Sequence, residues 1–308
     1  MKDVLKMTWK EIEALPKDKT ILFLTFAPIE EHSHHLPLGV DIFLGETWKN
    51  MAIDLIFKKN PDYHLLTMPA IPFAQGSIKG FPGCIHVSQR TVYRVTYEIL
   101  KKIASWGLKN IVIIASHGDP KHLIAIEEAC DKINKKHGLC AISPLGAFFS
   151  YDELGIDLDF PEKMQEMLSN YPNDYHAGWI ETSAILAIDE NMVKKDFRKL
   201  PDIKVEEKEL IFPDKVSKKI AGFGHIGFPR LATKELGELI NTNSAEYIYK
   251  ATMAFVTRQD YKKYQHHSLH KIPFLRTNFM RNILSVFGLV VGMIIIYIWI
   301  IHKYQQLR

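Results

Sequence analysis

Two short apolar runs that end directly in segments rich in histidine and carboxylates constrain the fold of this chain most strongly. Residues 20–27 (TILFLTFA) are followed by EEHSHHLPLGVD, and residues 110–115 (NIVIIA) are followed by SHGD. Nearly continuous apolar runs of this length are typical of strands that are buried on both faces of a parallel sheet. Because ligands of such sheets gather at the carboxyl ends of the strands, we expect the two polar segments to lie side by side.

Helical patterns alternate with strand patterns along the rest of the chain. Apolar runs at residues 64–71 and 139–143 predict two further strands, and apolar spacing predicts helices over residues 88–105 and 121–136. This alternation predicts an α/β fold. The stretch 191–227 is richer in lysine and turn residues, and we interpret it as surface elaboration that says little about chemistry.

The bulk composition excludes some classes of protein. Of 308 residues, 47% are apolar and 24% are charged, which is typical of an ordinary globular core. The net charge of +4 is too small to indicate a nucleic-acid-binding face. The three cysteines form no CxxC pair and no even disulfide framework, so we expect reduced thiols in a cytoplasmic domain.

The C-terminal region predicts a membrane anchor. Residues 283–301 contain no charge over 19 positions, and as a helix this run would rise about 28 Å, enough to cross a bilayer core. We therefore expect a single-pass C-terminal anchor with a cytoplasmic catalytic domain; a buried core helix is the alternative. Residues 256–282 form a basic juxtamembrane linker that suits anionic lipid, unless it is merely solvated, and residues 302–308 form a short tail.

Three separate segments supply residues that bind metals. Glu30–Asp41 contains two glutamates, three histidines and one aspartate, and the side chains of Glu30 and His32 point to the same side if the segment is extended. His117 and Asp119 follow the second apolar run, and HAGWIETS occupies residues 176–183. Carboxylates and imidazoles with few thiols suit Zn, Mn or Fe.

The order of these segments resembles the creatininase (creatinine amidohydrolase) family, whose members have E-x-H-G-P-H-L-P-L-x-x-D, F-P-G-T, N-G-H-G and H-A-G-x-x-E-T-S. Here EEHSHHLPLGVD, FPGC, SHGD and HAGWIETS occur in that order within about residues 8 to 255. The resemblance implies a three-layer α/β/α domain over residues 1–255, two divalent metal ions per chain, and frequently a hexamer. It assigns ligand roles to Glu30, His32, Asp41, His117 and Glu181, with Asp41 as the bridging ligand.

The same resemblance suggests catalytic residues. His176 matches the histidine of H-A-G and is the candidate that protonates the leaving nitrogen; a histidine that only holds a loop by hydrogen bonds is the alternative. Asp119 or Glu31 is expected to orient the attacking water. The chain also departs from the family pattern at Ser33, His34, Cys84, Ala115, Ser116 and Pro120.

These observations predict a metal-dependent amidohydrolase. The expected reaction is hydrolysis of a non-peptide C–N bond, as in a small cyclic amide or formamide, by a hydroxide held between two cations. A peptidase that trims a small precursor peptide would use the same chemistry. A catalytically inactive, membrane-tethered binding or scaffold protein is the alternative from another class, and metal content discriminates it, since a scaffold does not need two ions.

Overall fold

The computed structural model describes residues 1–210 and 212–306. Its centre is a five-stranded sheet in which all paired strands are parallel, in the order β1-β3-β2-β4-β5. The predicted α/β fold with a parallel sheet is therefore confirmed. The strands are β1 (Lys2–Asp3), β2 (Thr20–Phe26), β3 (His64–Thr67), β4 (Ile111–Ala115) and β5 (Ala141–Ile142).

Helices cover both faces of this sheet and complete three layers. Because successive side chains of a strand point to opposite faces, Phe23 lies in one buried core cluster and Leu22 and Leu24 in another. The first cluster includes residues of the helices Val40–Lys59, Trp179–Ile188 and Lys234–Thr257, and the second includes residues of the helices Gln89–Ser105 and Pro120–His137. The α-helices of the described residues are α1 (Trp9–Glu13), α2 (Val40–Lys59), α3 (Gln89–Ser105), α4 (Pro120–His137), α5 (Leu145–Phe149), α6 (Glu162–Asn170), α7 (Trp179–Ile188), α8 (Pro213–Lys219), α9 (Lys234–Thr257) and α10 (Phe279–Gln306).

The two central strands are buried along their whole length. Every residue of β2 and of β4 is buried, which explains why both segments are almost continuously apolar. Complete burial of one large apolar side chain such as Phe23 stabilises the fold by about 1.5–3 kcal/mol. The buried strands β2 and β4 therefore provide a well-packed support for the loops that follow them.

The register of β2 and β4 brings their following loops together. Phe26, the last residue of β2, pairs with Ala115, the last residue of β4. The loop that carries Glu30 and the loop that carries His117 therefore start next to each other at the carboxyl edge of the sheet, as expected from the sequence.

The chain continues past the sheet into an exposed apolar helix. The predicted domain end at residue 255 falls in the last turn of α9, and α10 extends beyond the predicted span on both sides. Within α10, Ile283–Ile300 has a mean hydropathy of 2.7 and none of it is buried, so this window is long and apolar enough to cross a membrane. Residues 307 and 308 of the predicted tail lie outside the described residues.

Candidate metal centre

The loop after β2 places Glu30 and His32 in the interior. Glu30 is closed into a turn by its backbone N–H, which donates to the carbonyl of Leu38 over 3.0 Å. The Nδ1 atom of His32 lies 3.1 Å from the carbonyl oxygen of Glu30, which fixes the imidazole ring and turns Nε2 away from this loop. Both side chains are almost completely buried.

The loop contains a residue in a left-handed conformation, at one of the positions where the chain departs from the family pattern. Ser33, where family members have glycine, has φ of +60°, a region that favours glycine. Its hydroxyl donates to the carbonyl of Phe223 over 2.6 Å, and its N–H donates to Glu31 Oε2 over 2.9 Å. These bonds hold the loop in place despite the unfavourable backbone region.

Asp41 lies between two histidines from different segments. It belongs to the first turn of α2, and its Oδ2 atom is 3.7 Å from Nε2 of His32 and 3.4 Å from Nδ1 of His117. Ser116 donates to the backbone carbonyl of Asp41 over 2.7 Å, which ties the start of α2 to the loop after β4. A single carboxylate that faces two imidazoles has the position expected of a bridging ligand.

Two groups of possible ligand atoms meet at Asp41. One group is Glu30, Asp41 and His117, in which Oε2 of Glu30 lies 3.3 Å from Nδ1 of His117. The other is His32, Asp41 and Glu181, in which Oε2 of Glu181 lies 3.7 Å from Nε2 of His32. The structure therefore brings together all five side chains that the resemblance assigns as ligands.

The chemistry of this donor set fits divalent cations. Among the described residues, Oε2 of Glu30, Oδ2 of Asp41 and Nε2 of His32 are buried without a hydrogen-bond partner. Buried polar atoms are rarely left in this way, and converging oxygen and imidazole ligands suit Zn²⁺ or Mn²⁺.

The carboxylates of the site also favour positive charge on the two histidines between them, His32 and His117. Burial opposes a charge on His32, but the nearby carboxylates of Glu181 and Asp41 outweigh it and raise the pKa of His32 to about 10. Burial is similarly outweighed at His117, where Glu30 and Asp41 raise the pKa to about 10. Cations bound by these carboxylates would replace the protons that the histidines otherwise hold.

His176 lies beside the two ligand groups, forms a further group of possible ligand atoms with Glu30 and His32, and is held by Glu31. Its Nε2 atom is 2.8 Å from the carbonyl oxygen of Glu31 and 3.5 Å from Oε1 of the same residue. Its ring centroid lies 4.4 Å from that of His32. Burial and the charge of His32 lower the pKa of His176, but Glu31 and other carboxylates outweigh them, so its pKa is raised.

Asp174 shapes the turn that carries His176 and was not predicted from the sequence. Its partly buried carboxylate accepts hydrogen bonds from the backbone N–H groups of Trp179, Ile180 and Phe228, at 2.9 to 3.0 Å. Burial raises the pKa of Asp174 to about 7, against these N–H donors. An aspartate two positions before H-A-G was the available signal, but its partners could not be read from spacing.

Asp119 is placed differently from the other proposed site residues. Its Oδ1 atom accepts from the N–H groups of Lys121 and His122, so it caps the start of α4, and its Oδ2 atom accepts from the hydroxyl of Ser77. Asp119 does not belong to the groups of ligand atoms that meet at Asp41. Asp119 therefore lies at the edge of the site, at the N-cap of α4.

A second missed residue is His86, which contacts the site directly. Its Nε2 atom lies 2.8 Å from Oε1 of Glu30. His86 comes two residues after the FPGC segment, so the only available signal was a histidine next to a family motif.

The interpretation of residues 191–227 as uninformative surface was wrong at its end. Phe223 accepts the Ser33 hydrogen bond, Ile226 pairs with His176 in an antiparallel bridge, and a side chain at Gly224 would collide with Glu31. This part of the stretch therefore forms a wall of the site. It was missed because glycine-rich turns carry no ligand atoms.

Comparisons with known proteins agree with this geometry. The family model described as creatinine amidohydrolase matches residues 5–252, so the chain belongs to the creatininase family. It is 24% identical over 205 residues to the creatinine amidohydrolase of Pseudomonas putida, covering 62% of this chain and 73% of that protein. The family predicted from the four motifs is thus confirmed.

Solved structures show the same fold. A structure described as creatininase Mn superposes with a TM-score of 0.63 at 20% identity, covering 81% of this chain and 96% of that chain. A mutant creatininase described as Zn-Zn type gives a TM-score of 0.61 at 20% identity, with 81% and 96% coverage. The predicted creatininase-like α/β fold is confirmed, and metals occur in the descriptions of both relatives.

Proposed function

We propose that this protein is a binuclear metal-dependent amidohydrolase that cleaves a non-peptide C–N bond in a small cyclic amide or formamide. The observation that carries the proposal is the pair of buried ligand groups that share Asp41. Membership of a family described as creatinine amidohydrolase supports a cyclic amide as the substrate class. Because the residues around the ligands differ from the family pattern, creatinine itself is only one member of the class to test.

The five ligand residues divide between two cations. Glu30, Asp41 and His117 would hold one ion, and His32, Asp41 and Glu181 would hold the other. When bound, two such cations make a water molecule acidic and polarise the substrate carbonyl. We expect Zn, Mn or Fe in these positions because the ligands are carboxylates and imidazoles.

His176 is suited to protonate the leaving nitrogen. The carbonyl of Glu31 can only accept a hydrogen bond, so Nε2 of His176 carries the hydrogen in this contact. The other ring nitrogen, Nδ1, is then the atom that exchanges a proton with the substrate. The nearby carboxylate of Glu31, 3.5 Å from Nε2, favours the protonated form that a general acid requires.

Glu31 and Asp119 remain the candidates that orient the attacking water. The carboxylate of Glu31 contacts His176 and the backbone of Ser33, so it belongs to the same network as the proposed acid. Asp119 is two residues after His117, but its carboxylate already caps the start of α4 and accepts a hydrogen bond from Ser77. Glu31 is therefore the better placed of the two.

We also propose that α10 anchors the enzyme to a membrane as a single span, with the catalytic domain on the cytoplasmic side. The support is the exposed window Ile283–Ile300 together with the basic residues before it.

A homo-oligomer, a hexamer by family resemblance, is the proposed assembly. Mass photometry of the full chain in detergent tests this assembly.

The experiment for the reaction is a substrate panel with the metal-loaded full chain. Creatinine, other cyclic amides, formamides and short peptides are incubated with wild type and with Asp41→Ala, and release of amine or acid is followed by mass spectrometry. Turnover of a cyclic amide or formamide by wild type alone supports the proposal. Turnover of peptides alone indicates the peptidase. No turnover of any member, together with fewer than two ions bound per chain, favours a scaffold.

A further inference from the structure

The segment between α9 and α10 is docked on the catalytic domain. Arg276 Nε lies 2.8 Å from Oε1 of Glu128 on α4, and the N–H of Thr277 donates to the other oxygen of Glu128 over 2.8 Å. Gln89, at the start of α3, donates to the carbonyl of Leu275 over 2.7 Å. The segment that precedes α10 is therefore held against α3 and α4.

A cluster of metal-binding side chains lies in this contact. Asp131 projects from α4, and its Oδ1 atom is 3.0 Å from Nε2 of His266. Its Oδ2 atom is 3.5 Å from Nε2 of His270. The two imidazole rings are stacked, with centroids 3.9 Å apart and planes only 10° from parallel, so both Nε2 atoms face the same carboxylate.

This arrangement leaves one buried nitrogen without a hydrogen-bond partner among the described residues. His270 is only 7% exposed, and its Nε2 atom, which faces Asp131, makes no hydrogen bond. Two stacked rings at this distance cannot both carry a proton's charge without repulsion, so protonation does not satisfy both histidines. A single cation between the carboxylate and the two nitrogens would satisfy all three groups once the rings tilt so that both Nε2 lone pairs point at it.

The surrounding charges permit such a cation. Arg276 approaches His270 on its other side, where Nη1 is 3.4 Å from Nδ1 of His270 and donates to the backbone carbonyl of His270 over 3.1 Å. The guanidinium is already paired with Glu128, and the contacts of the Asp131 carboxylate are with the two imidazoles. The carbonyl bond of Arg276 does not involve either Nε2 atom, so metal binding would preserve it.

We propose that Asp131, His266 and His270 form a third divalent-cation site, of the kind that takes Zn²⁺, and that the bound ion fastens the segment before α10 to α4. One carboxylate and two imidazoles are a donor set that Zn²⁺ accepts. The site shares no residue with the ligand groups that meet at Asp41. Its role is structural, since it joins two elements of the chain and lies outside the catalytic network.

The test measures zinc bound per full-length chain in detergent micelles, by elemental mass spectrometry after equilibration with buffered Zn²⁺. Asp131→Asn keeps a hydrogen-bond acceptor beside the histidines but removes the charge, and His266→Ala removes a half-exposed ligand. Both variants should lose about one zinc per chain. His137→Ala, an exposed histidine at the end of the same helix, is the matched control and should lose none.

The same measurement in the Asp41→Ala background separates this site from the catalytic centre. About one zinc should persist in Asp41→Ala and disappear when Asp131→Asn is added. Tryptic cleavage at Lys262, Lys263 and Lys271 gives a second readout, because a fastened segment is cleaved more slowly. Zinc should slow this cleavage at least several-fold in wild type and not in Asp131→Asn. Equal zinc content and equal cleavage in both proteins would overturn the proposal.

Discussion

Nε2 of His86 lies 2.8 Å from Oε1 of Glu30, so the loop after FPGC touches a proposed metal ligand from outside the ligand groups. Partners of this kind orient a ligand and tune its basicity, and their loss commonly weakens metal binding. We expect His86→Ala to raise the zinc dissociation constant about 10- to 100-fold, measured by competition with a chelator. The exposed His64→Ala is the control, and an equal effect there would contradict a specific role for His86.

Glu181 is expected to be the carboxylate that completes the second ligand group. Because its Oε2 atom faces His32 and Asp119 instead caps α4, Glu181→Gln should remove about one ion per chain. Asp119→Asn should retain the ions and change the stability of the fold little, because asparagine caps a helix about as well as aspartate. Metal loss in Asp119→Asn with none in Glu181→Gln would show that the SHGD loop supplies the ligand instead.

His176 is expected to act in the reaction and not in metal binding. His176→Gln should lower kcat about 10²- to 10⁴-fold while the metal content stays at the wild-type level. The measurement is steady-state kinetics on the substrate identified in the panel, with metal content determined on the same preparation. A variant with full kcat would leave His176 the role of a loop-holding histidine, bonded to Glu31.

His35 gives the stability a defined pH dependence. Burial, followed by the charges of nearby histidines, lowers the pKa of His35 from 6.5 to about 3, and its Nε2 atom lies 2.8 Å from the hydroxyl of Thr182. As pH falls below 6.5, the unfolded chain takes up this proton before the folded one does. The free energy of unfolding should therefore fall by about 1.4 kcal/mol per pH unit through His35 alone.

A substitution isolates this contribution. His35→Gln can still hydrogen-bond Thr182 but does not titrate. Its unfolding free energy should therefore decline less steeply between pH 6.5 and 5 than that of wild type, and the difference in slope should correspond to about one proton. Denaturant titrations of the full chain at several pH values measure the slope. The exposed His137→Gln serves as control, and identical slopes for His35→Gln and wild type would refute the expectation.

The parts of the fold that could be predicted from the sequence are those with strong local patterns. Residues 20–27 and 110–115 are continuous apolar runs because β2 and β4 are buried on both faces, and the predicted helix at residues 88–105 begins at Ser88, whose side chain caps α3. β1 was missed because two residues, Lys2 and Asp3, carry no apolar pattern. Such short edge strands are specified by their neighbours in space.

In the site, too, residues within one local motif could be predicted, whereas residues whose contacts are distant along the chain could not. Ligand residue types within one segment were visible as motifs, and the register of Phe26 with Ala115 brings those segments together. His86 and Asp174 were not predicted because their partners lie far along the chain or are backbone groups. Contacts of this kind depend on tertiary packing, which residue spacing in a single sequence does not encode.

The central claim is a binuclear centre bridged by Asp41, and metal content tests it most directly. Elemental mass spectrometry of the full chain, equilibrated with Zn²⁺ or Mn²⁺ in an Asp131→Asn background, should find about two ions per chain. Asp41→Ala should lose most of both, whereas Asp54→Ala, an exposed aspartate of the same helix, should lose neither. Absence of bound metal, or two ions retained in Asp41→Ala, would contradict the account.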